Sequence, residues 1–170
     1  IRLAHDTEAC PGVLDALVGA AEETTSGLRP LRSFDLRIPV MASNDARSKT
    51  LFDNAYGTGQ SCWTTILDLI DPRGGGAPVA GMSVVVIGYG DVGRGCARFG
   101  AALGARVTVV ELDPVRALQA SMDGFAVASL QEAAASAGML ISATGERSTI
   151  PLSALEAAPG GAIVTVAGGV

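Results

Sequence analysis

Histidine, cysteine, aromatic residues and basic charge are all scarce in this chain. A single histidine, His5, and no Cys-x-x-Cys pair leave a metal site almost no ligands to draw on, so none is expected. Cys10, Cys62 and Cys96 lie far apart, which suggests neither a disulfide framework nor a zinc site; the expected compartment is a reducing cytoplasm. The 12 Lys and Arg are outnumbered by 17 Asp and Glu, giving a formal charge of −5. With no basic cluster in the sequence, this excludes an evident nucleic-acid-binding surface. No apolar run reaches membrane-spanning length, and the start does not read as a signal peptide. The chain opens on Ile rather than Met, as a fragment or processed product does.

The 170 residues suffice for one domain with a core and a small appendage. Ala, Gly and Val are abundant, which suits close helix–sheet packing in an α/β fold. The organising stretch is SVVVIGYGDVGRGCARFGAALGARVTVVELD, residues 83 to 113. Ser83 to Ile87 is a β-branched run that predicts a buried strand. A helical pattern follows with Val92, Cys96, Phe99 and Leu103 on one face, then a second strand from Val107 to Val110 that ends at Glu111.

Each glycine in the turn has its own task. Gly88 allows the tight exit from the strand, Gly90 lets backbone approach a pyrophosphate, and Gly93 lets the helix pack close to the sheet. The N–H groups around Asp91, Val92 and Gly93 then face the phosphates at the positive helix end. Glu111 stands where a carboxylate accepts hydrogen bonds from ribose hydroxyls and repels a 2′-phosphate, so the expected cofactor is NAD rather than NADP. Arg116 is near in sequence and opposes that preference. A lone GxGxxG is a weak signal; with flanking strand, helix and acid all in place, it is a specific one.

Ahead of this unit, Ile1 to Cys10 has no periodicity and reads as a flexible or truncated lead-in. From Pro11 the pattern is helical, with Leu14, Leu17, Val18 and Ala21 on one face, and Gly27 is the predicted stop. Leu31 to Val40 reads as a loop leading into a short edge strand at Pro39. Met41 to Gln60 carries few core residues and many functional groups; a helix would place Lys49 and Asp53 on one face. Such a pair is, by spacing alone, most often a solvated surface pair. Gln60 to Asp71 predicts a helix with Trp63, Ile66, Leu67 and Ile70 inward, and Pro72 to Pro78 a glycine-rich linker. After Glu111 come a helix from Pro114 with Val115, Leu118 and Met122 inward, a strand at Phe125 to Ala128, a helix at Leu130 to Ala137, a strand at Met139 to Ala143, a helix at Ser153 to Ala158 and a strand at Ala162 to Val166. Right-handed crossovers then give five parallel strands in the order 3-2-1-4-5, a doubly wound Rossmann-type sheet, with Thr144 and Gly145 on its crevice.

The combination of EETTSG, SND followed by Lys49, FDNAYG, GYGDVGRG, ELDP with ALQASMDG, and SATG resembles the S-adenosylhomocysteine hydrolase family from about Gly19 to Val170. The resemblance implies a tightly held NAD that oxidises a nucleoside 3′-hydroxyl, making the 4′-hydrogen acidic. A 5′ group is then eliminated, water adds, and the hydride is returned. By the same resemblance Lys49 and Asp53 work on the 3′-hydroxyl with Asn44 in support, Glu23 contacts substrate, and Thr24, Thr25, Ser26 and Asn54 contact the cofactor, as do Gly88, Gly90, Asp91, Val92, Gly93, Glu111, Arg116, Thr144 and Gly145. It further implies an N-terminal helical and loop portion, residues 1–72, left from a substrate domain, an NAD-binding domain at 73–170, and a homo-oligomer whose subunits complete one another's sites.

Three departures stand out. Thr58 replaces a usual cysteine, Arg116 an asparagine, and Gly169 an active-site histidine. The last puts water addition in doubt and opens a divergent course, a nucleoside dehydratase or lyase that stops after elimination. The chain is also much shorter than the family: a piece of a longer protein, or a minimal relative. A non-catalytic NAD-binding module is the alternative, though it would have no need of Lys49, Asp53 and Asn54. An ordinary dehydrogenase is disfavoured by the lack of a His-Asp or Tyr-Lys arrangement.

Overall fold

Alternation within three β-branched runs sets the architecture, because successive side chains of a strand point to opposite faces and both faces here are apolar. The computed structural model describes residues 1–74 and 79–167. Part of the linker, residues 75–78, and Gly169 lie outside the described residues. The chain divides into two compact units, Ile1–Thr50 and Leu51–Val170.

The first unit departs from its predicted pattern. The helix expected from Pro11 to Gly27 is instead α1 (Val13–Ala16), strand β1 (Ala20–Glu22) and α2 (Thr25–Leu31). The reason is tertiary: β1 pairs in parallel with β2 (Val40–Ala42), Ala20 opposite Val40 and Glu22 opposite Ala42. The Ala20 N–H reaches Pro39 O at 2.9 Å, so the ladder takes over residues with helical spacing. A new helix then starts where Thr24 Oγ1 accepts the Gly27 N–H at 3.0 Å, an N-cap that local spacing hides. Gly27 thus lies inside a helix rather than ending one. Arg2–His5 forms a helical turn, and the His5 ring packs edge-on against Phe34 at 5.1 Å while its Nε2 accepts the Arg37 N–H at 3.0 Å.

A wide helical segment of i→i+5 type, Lys49–Gly57, begins at the last two residues of the first unit and leads into α3 (Thr58–Ile70) of the second. The sheet comprises β3 (Ser83–Ile87), β4 (Arg106–Val110), β5 (Ala126–Val127), β6 (Met139–Ser142) and β7 (Ile163–Val166). All pairs are parallel, and the order β5-β4-β3-β6-β7 is the predicted 3-2-1-4-5. Helices α4 (Asp91–Ala102), α5 (Pro114–Met122), α6 (Leu130–Ala134) and α7 (Leu152–Ala157) make the crossovers. Val84 and Val86 join Trp63, Ile66, Cys96, Val109, Ala120 and Ile141 in one core cluster. Val85 and Ile87 join Val110, Ala133, Ala134, Leu140 and Ala154 in the other.

Two details of packing were not legible beforehand. Helices α3 and α4 meet through glycines: a Cβ on Gly95 would run into the Ala55 carbonyl and lie 3.1 Å from Gly59 Cα. Trp63 seals this contact, its Nε1 donating to Cys96 O at 2.8 Å and its ring standing 2.7 Å from where a Gly100 Cβ would be. On α5 the expected inward residues face out, with Val115, Leu118 and Met122 at 74%, 64% and 81% exposure, while Ala120 is fully buried. A small residue lets this helix lie close to the sheet, and that choice of face rotates the larger apolar side chains into solvent.

Gly95→Ala is therefore expected to lower unfolding free energy in urea by about 1–3 kcal/mol, the usual range for overpacking a close contact. Ser129→Ala, which removes the reciprocal Ser129–Glu132 capping box at the start of α6, is expected to cost about 1 kcal/mol in the same assay.

Candidate functional site

At the carboxyl end of β3 the chain turns through Gly88, whose φ of +93° suits glycine and whose N–H donates to Val110 O at 2.8 Å. A Cβ there would also press on Thr144 Cγ2 at 2.9 Å. Helix α4 begins directly afterwards because Gly93 abuts the Gly88 carbonyl, a contact no side chain could enter. The bond from the Arg94 N–H to Gly90 O leaves the N–H groups of Asp91, Val92 and Gly93 with no acceptor inside the helix. Gly90 faces open space: a Cβ there would meet only Arg116 Nη1, at 3.8 Å. Free N–H groups at a helix N-terminus beside an open glycine form a seat for a phosphate. The Asp91 carboxylate beside it is paired with Arg94 at 2.6 Å, which offsets its charge.

Glu111, at the end of β4, is held by backbone. Its Oε2 accepts the Tyr89 N–H at 2.7 Å, and its Oε1 accepts those of Leu112 and Asp113 at 2.7 and 3.0 Å. The carboxylate is thereby fixed against the glycine turn, where it can still accept from a ribose hydroxyl. Across the crevice, Thr144 Oγ1 accepts the Glu146 N–H at 3.0 Å, and Gly145 has φ of +66°. Tyr89 was not singled out from sequence, yet it is buried and its hydroxyl donates to Asp123 Oδ2 at 2.8 Å. Burial, then that carboxylate, push its hydroxyl pKa above the ordinary tyrosine value. Arg98 stands 3.6 Å from the same Asp123 oxygen. No local signal marks this contact, since its partners are 34 residues apart.

In the first unit a second polar cluster forms. Glu22 is bonded within the fold: its Oε1 accepts from the Thr24 hydroxyl at 2.7 Å and the Thr24 N–H at 2.9 Å. The hydroxyl bond, then the N–H, hold its pKa below the usual carboxylate value. Glu23 is exposed, and Ser26 half-buried. Asn44 is buried, donates to Thr25 Oγ1 at 3.3 Å, and through Oδ1 accepts from Lys49 Nζ at 3.3 Å. Thr25, Asn44 and Lys49 are thus brought together. On the wide helical segment Asp53 is exposed and Asn54 buried. Winding of the i→i+5 type is rare and often found at functional sites, and it replaces the α-helical face predicted for the 49–53 spacing.

The family profile for the S-adenosyl-L-homocysteine hydrolase NAD binding domain matches residues 54–170. The chain belongs to this family. An adenosylhomocysteinase of Thermotoga maritima is 46% identical over 160 residues, covering 92% of this chain and 38% of that relative. One from Pyrococcus abyssi is 48% identical, covering 92% and 37%. An S-inosyl-L-homocysteine hydrolase of Methanothermobacter thermautotrophicus is 47% identical, covering 82% and 33%. The chain therefore spans little more than a third of the length of these relatives. Among solved structures, the A chain of dipicolinate synthase from Bacillus subtilis aligns with a TM-score of 0.65 at 16% identity, covering 89% of this chain and 51% of that one. Phosphoglycerate oxidoreductase from Vibrio cholerae aligns at 0.62 and 17%, covering 94% and 56%. At such identity they show the fold alone.

As a member of the S-adenosyl-L-homocysteine hydrolase family, the chain has NAD as its cofactor. The glycine turn fits it: free N–H groups suit an anionic pyrophosphate, a fixed carboxylate suits ribose, and the space before Gly90 is clear. Since nothing crowds a Cβ at position 90 and φ there is −74°, Gly90→Ala is expected to leave the urea midpoint unchanged. Titration calorimetry with NAD should nonetheless show binding weakened by roughly tenfold or more, through loss of close backbone approach.

Proposed function

We propose that this chain is part of an NAD-dependent hydrolase acting on a purine-nucleoside thioether of the S-adenosylhomocysteine or S-inosylhomocysteine kind. When bound, NAD supplies a reversible hydride acceptor for the sugar 3′-carbon, which makes the neighbouring C4′–H acidic. Gly88, Gly90, Asp91, Val92 and Gly93 seat the pyrophosphate and Glu111 orients the ribose, with Arg116, Thr144 and Gly145 around them. Thr24, Thr25, Ser26 and Asn54 are assigned to the cofactor, and Glu23 to the substrate, by family resemblance.

Lys49 and Asp53 are assigned to the 3′-hydroxyl, whose proton they take and return. An ammonium carries three N–H donors. One of those on Lys49 is directed to Asn44 Oδ1 at 3.3 Å. An amine beside a carboxylate and a developing ketone can exchange protons near neutral pH. The observation that favours catalysis over a non-catalytic NAD-binding module is this Lys49–Asn44 contact, since a module that only binds has no use for a buried asparagine that aims an amine.

Incubation of the full-length protein with adenosine or inosine in deuterated water is expected to exchange the 4′-hydrogen, followed by NMR. Lys49→Ala should reduce exchange by at least about 100-fold, the scale of lost general acid–base catalysis, while NAD released on denaturation stays at wild-type stoichiometry. Undiminished exchange would remove Lys49 from the chemistry. Product analysis with a thioether substrate separates full hydrolysis from elimination without hydration, the course suggested by Gly169 in the histidine's place.

A further inference from the structure

Cys62 and Cys96 are remote in sequence yet meet inside the fold. Both are free thiols. Cys62 packs on the core cluster that contains Cys96, and the two thiols are hydrogen-bonded to each other. What brings them together is the glycine crossing of α3 and α4. Gly59, three residues before Cys62, touches Gly95, the residue before Cys96: a Cβ on Gly59 would stand 2.7 Å from Gly95 Cα. Residues three apart share a helix face. Trp63, next to Cys62, closes the crossing by donating Nε1–H to Cys96 O at 2.8 Å.

Their surroundings give the two thiols unequal parts. Cys96 is fully buried, whereas Cys62 is half-buried and reaches solvent. Cys96 donates to Cys62 Sγ, and this bond holds the Cys62 pKa below the ordinary cysteine value against the opposing effect of burial. The same bond, then burial, push that of Cys96 up. A thiolate is the nucleophile in disulfide exchange. Cys62, with solvent access and the readier thiolate, is therefore the attacking residue and Cys96 the resolving one.

We propose that Cys62 and Cys96 are a redox-modification site, which small disulfides of the glutathione class close into a Cys62–Cys96 disulfide that weakens the NAD seat at the start of α4. The Cys62 thiolate attacks one sulfur of the small disulfide, forming a mixed disulfide and expelling the other half, which leaves with the Cys62 proton. Cys96 then attacks Cys62 Sγ, and the second half leaves with the Cys96 proton. Two protein thiols are oxidised, and one small disulfide is reduced to two thiols. The new S–S bond is about 2.05 Å long, far shorter than a hydrogen bond between thiols. Gly59 and Gly95 are already in backbone contact, so the helices cannot close up to supply the difference. Helix α4 must turn or slide instead, and the contact of Gly93 with the Gly88 carbonyl passes that movement to the phosphate seat.

The effect on NAD rests on the Gly88–Gly93 turn being its seat, and one experiment separates the two. The full-length protein is treated with oxidised glutathione, its remaining thiols are alkylated, and it is digested without reductant. Mass spectrometry is expected to find Cys62 linked to Cys96. Titration calorimetry is expected to find NAD binding weakened by about tenfold and restored by dithiothreitol. By linkage, saturating NAD should lower the equilibrium constant for disulfide formation by the same factor. Cys62→Ser, which leaves the buried thiol in place, should bind NAD within about threefold of wild type and lose all response to the oxidant. Thiols that stay free, or a glutathione adduct on Cys62 with no link to Cys96, would overturn the proposal. So would a closed disulfide with NAD affinity unchanged, or a loss of affinity that persists in oxidant-treated Cys62→Ser. Failure of the reduced wild type to bind NAD would overturn the seat itself, and with it the stated effect.

Discussion

The contact between Gly93 and the Gly88 carbonyl constrains everything built on the sheet's carboxyl edge. Without it α4 would start farther from β3, and the N–H groups of Asp91, Val92 and Gly93 would no longer sit at the switch point. The same demand for closeness recurs behind the turn. Gly95 lies against the Ala55 carbonyl and Gly59, and Gly100 lies under the Trp63 ring. A helix that carries glycine on two sides forgoes intrinsic helix stability. Here that is offset by packing on Trp63 and on the valines of β3, so α4 is held between α3 and the sheet with little freedom to shift.

Rigidity passes from this core to polar groups at the edge. Tyr89 lies between two glycines yet points inward, where its hydroxyl meets Asp123 and its ring meets Phe125 at 6.0 Å. Its N–H is then left to orient Glu111. A buried side chain thus sets the direction of a surface carboxylate through one backbone bond. In the first unit Asn44 acts similarly: buried, tied to Thr25, and aiming the Lys49 amine.

The organisation of the second unit was legible because its signals are local and strong. Runs such as Ser83–Ile87 and Met139–Ser142 are apolar at every inner position, which only a strand covered on both faces requires. The turn glycines are set by backbone geometry at their own positions. Strand order followed from crossover handedness. In the first unit the corresponding signals are weak: the apolar spacing from Leu14 to Ala21 suits a helix until Pro39 and Val40 offer a ladder to Ala20. Glu22 and Glu23 are indistinguishable in sequence, and only the fold of Thr24 back onto Glu22 separates them.

By itself, the sequence determined the parallel sheet, its order and the phosphate turn, since periodicity and glycine placement act within a few residues of themselves. Tertiary structure alone decided which face of α5 is buried, which carboxylate of the pair is bonded within the fold, how α3 and α4 approach, and that Tyr89 answers to Asp123. Each of those is a contact between segments distant in the chain, whose energy depends on shapes that no single segment contains.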